Sequence, residues 1–240
     1  TEFLRDLQTI IAGDKDTQKS GLVSSVDSFF AQAKLLEADS SAPMRVGFIK
    51  KAQGLASTIS SATRKVDELR FEADKQLHQK TLNLNNSLKQ LFEVNQAMLS
   101  SQNPQKFYDK RDALVRDIAS HFDINVNYRK SGTAMIQVRP SGTELIGNGS
   151  YAQITYDGVP SLDSIIDNAD RPEMMITYYD TKNFSGHTSV FAGGSDNPEI
   201  MPFRGGIWGA LVDLRDTKLP QTGNIIKSLG ANVSKELNRI

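Results

Sequence analysis

Cysteine is absent from the 240 residues, and with it go disulfides, thiolate catalysis and cysteine-ligated zinc. Net charge is also missing: lysine plus arginine (28) equals aspartate plus glutamate (28). No overall field therefore draws the chain to nucleic acid or to an anionic membrane. No Lys/Arg run exceeds two residues and the aromatics near basic residues are scattered, which leaves no stacking platform for single strands. No apolar run approaches a membrane span, and the amino end carries no signal-peptide pattern. One tryptophan and 8% aromatics point to a core made mainly by helix packing. Proline is missing from residues 44–103, so nothing breaks a helix there.

That uninterrupted stretch, Pro43 to about Ser100, dominates what is present. Apolar residues return at steps of three and four: Leu55, Ile59, Ala62, Val66, Leu69, Ala73, Leu77, Leu84, Leu88, Leu91 and Met98. This spacing keeps one helical stripe buried. At 1.5 Å per residue the helix would reach on the order of 80 Å, far longer than an average globular helix. A second consecutive step of four, from Ala73 to Leu77, inserts a stutter. Beyond it the seam places Thr81 and Asn95 at core positions, where polar side chains lower stability but fix register. Gln76, Gln79, Asn83, Asn85, Asn86, Ser87, Lys89 and Gln90 read as a solvated face.

Around this helix the chain divides by period. Thr1 to Ala12 has Phe3, Leu4, Leu7, Ile10 and Ile11 on one helical side. A polar linker opens at Gly13-Asp14-Lys15-Asp16. A second helix, about Leu22 to Ala38, turns Leu22, Val26, Phe29, Phe30, Ala33 and Leu36 inward. Asp39-Ser40-Ser41-Ala42-Pro43 supplies capping side chains and a proline near the next helix start. Asn103-Pro104 breaks the long helix, and a fourth begins at Lys106, with Phe107, Leu114, Val115 and Ile118 inward. From His121 the pattern alternates: Ile124–Tyr128, Met135–Arg139, Tyr151–Tyr156, Met174–Tyr179 and Thr188–Phe191 are expected strands. Ser131-Gly132-Thr133 and Ser141-Gly142-Thr143 are expected turns, Val159 to Arg171 a loose segment, and the β region ends near Phe203. Gly205-Gly206 reopens a helix with Ile207, Trp208, Leu211, Leu214, Leu219, Ile225, Ile226, Leu229, Val233 and Leu237. The fold class is α+β: an elongated helical bundle or rod (residues 1–122 plus 205–240) around a very long central helix, with a small β-rich insert (123–204).

No catalytic constellation assembles. His78, His121 and His187 lie far apart and lack zinc-ligand spacing. Gly142 to Gly149 is glycine-rich but precedes no Gly-Lys-Ser/Thr, so turns explain it better than a phosphate cradle. Asp14-Lys15-Asp16 starts like a calcium loop, yet glycine at the sixth position and glutamate at the twelfth are missing. Ser131, Ser141 and Ser195 sit near glycines without a nucleophile elbow. Asp109, Arg111 and Asp112 form the densest charged cluster, either a helix-start group with local pairing or a contact between protomers. Three Asn-x-Ser matches, beginning at Asn148, Asn183 and Asn232, fit the short N-glycosylation acceptor pattern. No catalytic, cofactor-binding or metal-binding residues are named, and neither an enzyme nor a cofactor is expected.

Several collinear segments carry a resemblance. Phe3-Leu4-Arg5-Asp6-Leu7, Gly21-Leu22-Val23-Ser24-Ser25-Val26-Asp27-Ser28-Phe29-Phe30 and Arg45 to Gly54 resemble the amino-terminal part of the hook-associated protein 1 family of bacterial flagella, the hook–filament junction proteins. Tyr108-Asp109-Lys110-Arg111-Asp112-Ala113-Leu114-Val115 is similar to that family's Asp-x-Arg-Asp-x-Leu segment. Gly205-Gly206-Ile207-Trp208-Gly209-Ala210-Leu211 and Glu236-Leu237-Asn238-Arg239-Ile240 resemble its return into helix and the end of the following helix. The family's terminal helices have no counterpart here, so the chain is expected to be an internal fragment without the polymerising termini, monomeric by itself. The resemblance implies a non-enzymatic structural protein, extracellular in the flagellum and exported through the flagellar type III apparatus. Its implied partners are copies of itself in a ring, hook protein, the next junction protein and an export chaperone, with no nucleic acid and no membrane. A non-polymerising coiled-coil adaptor or type III-secreted partner protein is the alternative.

Overall fold

In a computed structural model the described residues are 2–14, 19–139, 142–156, 158, 161–167, 174–180, 188–191 and 205–237. In chain order the elements are α1 (Glu2–Ala12), β1 (Gly13–Asp14), β2 (Lys19–Ser20), α2 (Leu22–Ala38), α3 (Ala42–Ser100), a 3-10 turn (Pro104–Phe107), α4 (Tyr108–His121), β3 (Ile124–Tyr128), β4 (Ala134–Val138), β5 (Glu144–Ile146), β6 (Ser150–Tyr156), α5 (Leu162–Asp167), β7 (Met174–Asp180), β8 (Thr188–Phe191), α6 (Gly206–Asp213), a π turn (Leu214–Lys218) and α7 (Leu219–Leu237). They form two compact units, one of Thr1–Arg70 with Thr217–Ile240, the other of Phe71–Asp216. This division follows contacts. The division into 1–122 plus 205–240 and 123–204 follows the type of secondary structure.

α3 is the expected long helix, 59 residues without a break. Its seam is buried at Leu55, Ala62, Val66, Leu69, Ala73, Leu77, Leu84, Leu88, Leu91 and Met98, with Ile59 half-buried. Thr81 and Asn95 are buried at the expected core positions. Thr81 stays satisfied because its hydroxyl donates to the Leu77 carbonyl at 2.8 Å, the back-bond open to threonine in a helix.

In the first unit, Phe29 of α2 stacks on Phe48 of α3 with ring centroids 5.3 Å apart. Asp39 ends the hairpin by accepting the Ser41 backbone N–H at 2.9 Å. Gly21 is required where α2 starts, since a Cβ there would lie 2.1 Å from the Gly13 nitrogen. On α7, Gly223 and Gly230 let the helix approach Val66 and Ile59, at 3.5 and 3.3 Å from a notional Cβ. The apolar stripes are wider than the faces that become covered. Phe30, expected inward, is 53% exposed, Leu4 and Ile225 are likewise exposed, and α1 buries no residue.

Gly54 has nothing within 4 Å of a notional Cβ and a helical backbone. Gly54→Ala is therefore expected to raise stability by about 0.5–1 kcal/mol through lower unfolded-state entropy. A higher urea midpoint at unchanged slope checks it, and an unchanged midpoint would refute it.

The second unit carries a six-stranded sheet in the order β3-β4-β5-β6-β7-β8, every neighbour antiparallel. The expected strands are found within a residue or two, and Ser131-Gly132-Thr133 is a turn with Gly132 at φ 84. Additional elements among the described residues of this unit include β5, whose three residues are too few to show alternation, and α5, inside the segment expected to be loose. The sheet's buried residues include Ala134, Ile136, Val138, Leu145, Ile146, Ala152 and Ile154. The expected end of the β region near Phe203 lies outside the described residues. Among the described residues no helix is long and apolar enough to cross a membrane.

Candidate functional site

The polar side chains of the second unit converge on one side of α3. Asn95 donates from Nδ2 to the Ala134 carbonyl at 2.8 Å and accepts the Ala134 N–H at 3.0 Å. Asn85 does the same to Ile154, at 2.6 and 2.8 Å. In each case a planar side-chain amide supplies the donor and acceptor that another strand would offer, which satisfies backbone groups a helix cannot reach. His78 Nδ1 lies 2.7 Å from the Tyr156 carbonyl oxygen, so it donates there. Successive positions along α3 thus grip β6 and the start of β4. The face expected to be solvated is partly spent on this: Asn85 binds β6, and the Ser87 hydroxyl donates to Asp117 at 2.6 Å.

At the end of this ladder lies a buried ionic cluster. Arg215, in the π turn, pairs through Nη1 with Asp74 Oδ1 at 2.6 Å, their side chains 4% and 2% exposed. The Tyr156 hydroxyl bonds Asp74 and also contacts Arg215. The other side of the guanidinium engages Asp216 through Nε and Nη2, at 2.8 and 2.9 Å. This fork geometry is particular to arginine. The π turn has a local cause: Pro220 lacks the N–H that would bond back to residue 216, and its ring crowds that carbonyl. A widened turn relieves both.

Burial pushes the Tyr156 phenol well above its ordinary 10.0; the Arg215 charge opposes this and Asp74 adds to it. For Arg215, burial works against the charge, but the hydrogen bond to Asp216, then electrostatic interaction with the Tyr156 hydroxyl and the Asp216 carboxylate, leave the guanidinium more basic than usual. Tyr156 is therefore expected to stay protonated in the native state at pH values where the same side chain ionises in the unfolded chain. Its contribution to stability is complete below pH 10.0 and falls as pH rises beyond that value, because only the unfolded chain then releases the proton. A phenolate absorbance titration with unfolding at matched pH checks this; flat stability through that range would contradict it.

An aromatic cluster backs the ions. Trp208, 1% exposed, meets Phe122 at 5.8 Å and Tyr156 edge-on at 5.6 Å. The lone tryptophan thus centres a ring core that composition did not suggest. Gly206, at φ 60, brings α6 against the end of α4, where a Cβ would lie 2.3 Å from the His121 carbonyl oxygen.

The other residues weighed in the sequence are scattered. His121 is buried and hydrogen-bonds the Asp117 carbonyl from Nδ1 at 2.9 Å, while His187 lies outside the described residues. Arg111 is buried between the rings of Tyr108 and Tyr128, at 4.4 and 4.6 Å. It pairs with Asp112 at 2.7 Å and donates to the Gly132 carbonyl; Asp109 remains exposed in the first turn. Gly142 has positive φ with open space around it, as a turn glycine does. Ser131 faces Thr133 at 3.0 Å; Ser141, Ser195 and the Lys15-Asp16 part of the calcium-like start lie outside the described residues. Among the described residues no group of three or more His, Cys, Asp or Glu could hold a metal ion. What the cluster does chemically is hold helix, sheet and π turn together.

Comparison with known proteins bears on what such a scaffold serves. The family described as flagellar hook-associated protein FlgK helical domain matches residues 5–240. Flagellar hook-associated protein 1 of Bacillus subtilis (strain 168) is 27% identical over 122 residues, which is 49% of this chain and 24% of that protein. The flagellar hook junction protein FlgK from Burkholderia pseudomallei shares the fold at a TM-score of 0.60 and 20% identity, over 88% of this chain and 36% of that one. The matched segments cover 24% and 36% of the length of these relatives, so the chain corresponds to only part of each.

Proposed function

Because the chain belongs to the family of the FlgK helical domain, matched over residues 5–240, we propose that it is a structural component of the bacterial flagellum that joins hook to filament within a junction ring. The match over nearly the whole chain is the observation that carries this reading. The internal polar chemistry agrees with it: Asp74, Tyr156, Arg215, Asn85 and Asn95 are engaged with one another or with backbone, as suits a building block rather than a turnover site. The protein acts by packing, without catalysis or cofactor. Its partners are further copies of itself, hook protein, the next junction protein and an export chaperone. It works outside the cell after passage through the flagellar type III apparatus. Residues 1–122 with 205–240 serve as the helical domain of that assembly, and 123–204 as its β-rich insert.

Deletion of the gene tests this directly. Electron microscopy of the deletion strain is expected to show hooks without filaments, with flagellin monomers in the medium. Normal filaments would overturn the reading in favour of a non-polymerising adaptor.

A further inference from the structure

Between α2 and the stretch of α3 from Lys50 to Thr58 the surface opens into a cleft of about 340 Å³, lined by Ser24, Ser25, Ser28, Lys50, Lys51, Gly54 and Thr58 above the buried Leu55, with the Ser25 hydroxyl held by the Gly21 carbonyl at 3.2 Å. All of it belongs to the first unit. Its chemistry is one-sided. No aspartate or glutamate lines it, and neither Lys50 nor Lys51 has a carboxylate within ion-pair distance among the described residues. The hydroxyls are not equivalent. Ser24 donates to the Gly21 carbonyl at 3.0 Å and Thr58 to the Gly54 carbonyl at 3.0 Å, so their protons are engaged. Ser28 makes no such bond among the described residues, so its hydroxyl and the two ammonium groups are the cleft's uncommitted donors.

Gly54 supplies the second observation. It sits inside a helix, where glycine is disfavoured, and nothing in its own unit approaches the place of its Cβ within 4 Å. Gly223 and Gly230 differ, because each admits a neighbouring side chain. Internal packing therefore gives no reason for glycine at 54. Close approach of a backbone from outside does. A wall without side chain beside three anion-seeking donors fits a carboxylate carried on an extended chain better than a bulky apolar anchor.

We propose that this cleft docks an acidic segment of a protein partner: an Asp or Glu carboxylate is held by Lys50, Lys51 and the Ser28 hydroxyl while the segment's backbone passes over Gly54. The inference rests on the proposed function only in that the chain binds other proteins.

The test is an amide NMR titration of the 240-residue chain with tri-glutamate, and with tri-glutamine as control. Saturable shifts are expected in residues 24–28 and 50–58 with tri-glutamate alone. Lys50→Gln with Lys51→Gln should weaken binding at least tenfold, and Gly54→Val should weaken it while leaving the spectrum elsewhere folded. Shifts that fail to saturate, or that appear equally around Lys34, Lys65 and Lys227, would overturn the proposal. So would inorganic phosphate binding as tightly as the peptide, which would make this a site for a free anion. Failure here leaves the flagellar reading standing, since that reading is decided by the deletion strain.

Discussion

Replacing Arg215 with methionine is expected to cost about 3–5 kcal/mol of folding stability. The substitution keeps most of the side-chain volume but takes from Asp74, nearly without solvent access, its ion pair with Arg215. It also frees Asp216 from its two-pronged contact, a smaller loss because that carboxylate is nearer the surface. Urea unfolding followed by the fluorescence of Trp208, which touches Tyr156, measures the effect. Removing both charges, by Asp74→Leu with Arg215→Met, should recover much of the loss, because a neutral buried pair needs no hydration. A loss below about 1 kcal/mol in the single variant would show that water reaches the cluster and that the pair behaves as a surface one.

Asn95→Ala is the second large expected effect. It orphans both the N–H and the C=O of Ala134 at a buried position, at about 1–3 kcal/mol for each group. Hydrogen exchange at Ala134 should accelerate together with the drop in urea midpoint. Asn85→Ala provides the contrast. The Asn85 position is half-buried, so water can replace the lost amide and the cost should be clearly smaller. Equal losses at both positions would mean that strand pairing, not the asparagine clamp, fixes the sheet.

These two variants also mark where sequence reading stopped. The seam from Leu55 to Met98 was legible because a helix buries residues by a local rule of threes and fours, and the same rule placed Thr81 and Asn95 inside. Whether a polar residue on the flank meets water or a strand is not local. Asn85 and Asn86 are identical in type and adjacent, yet one clamps β6 while the other is exposed. The Asp74–Arg215 pair spans 141 positions, so no spacing pattern announces it. The Arg111–Asp112 pairing was open to a helix-start reading, whereas the Tyr108–Arg111–Tyr128 stack needed the sheet to bring Tyr128 across. Family resemblance supplied the functional reading; it rested on the order of weak motifs along the chain, not on any one of them.

The sheet's strand order has a kinetic consequence. Each strand from β3 to β8 pairs with its neighbours in sequence, so the hairpins from β3 to β6 form from residues that are already close, while α5 intervenes between β6 and β7. The link from Asp74 to Arg215 is the opposite case, a contact between distant parts of the chain that forms only after α6 has returned. The ordered meander can therefore assemble first and present Tyr156 as half of a socket. The arginine then acts as the closing bolt, and its loss should speed unfolding far more than it slows folding.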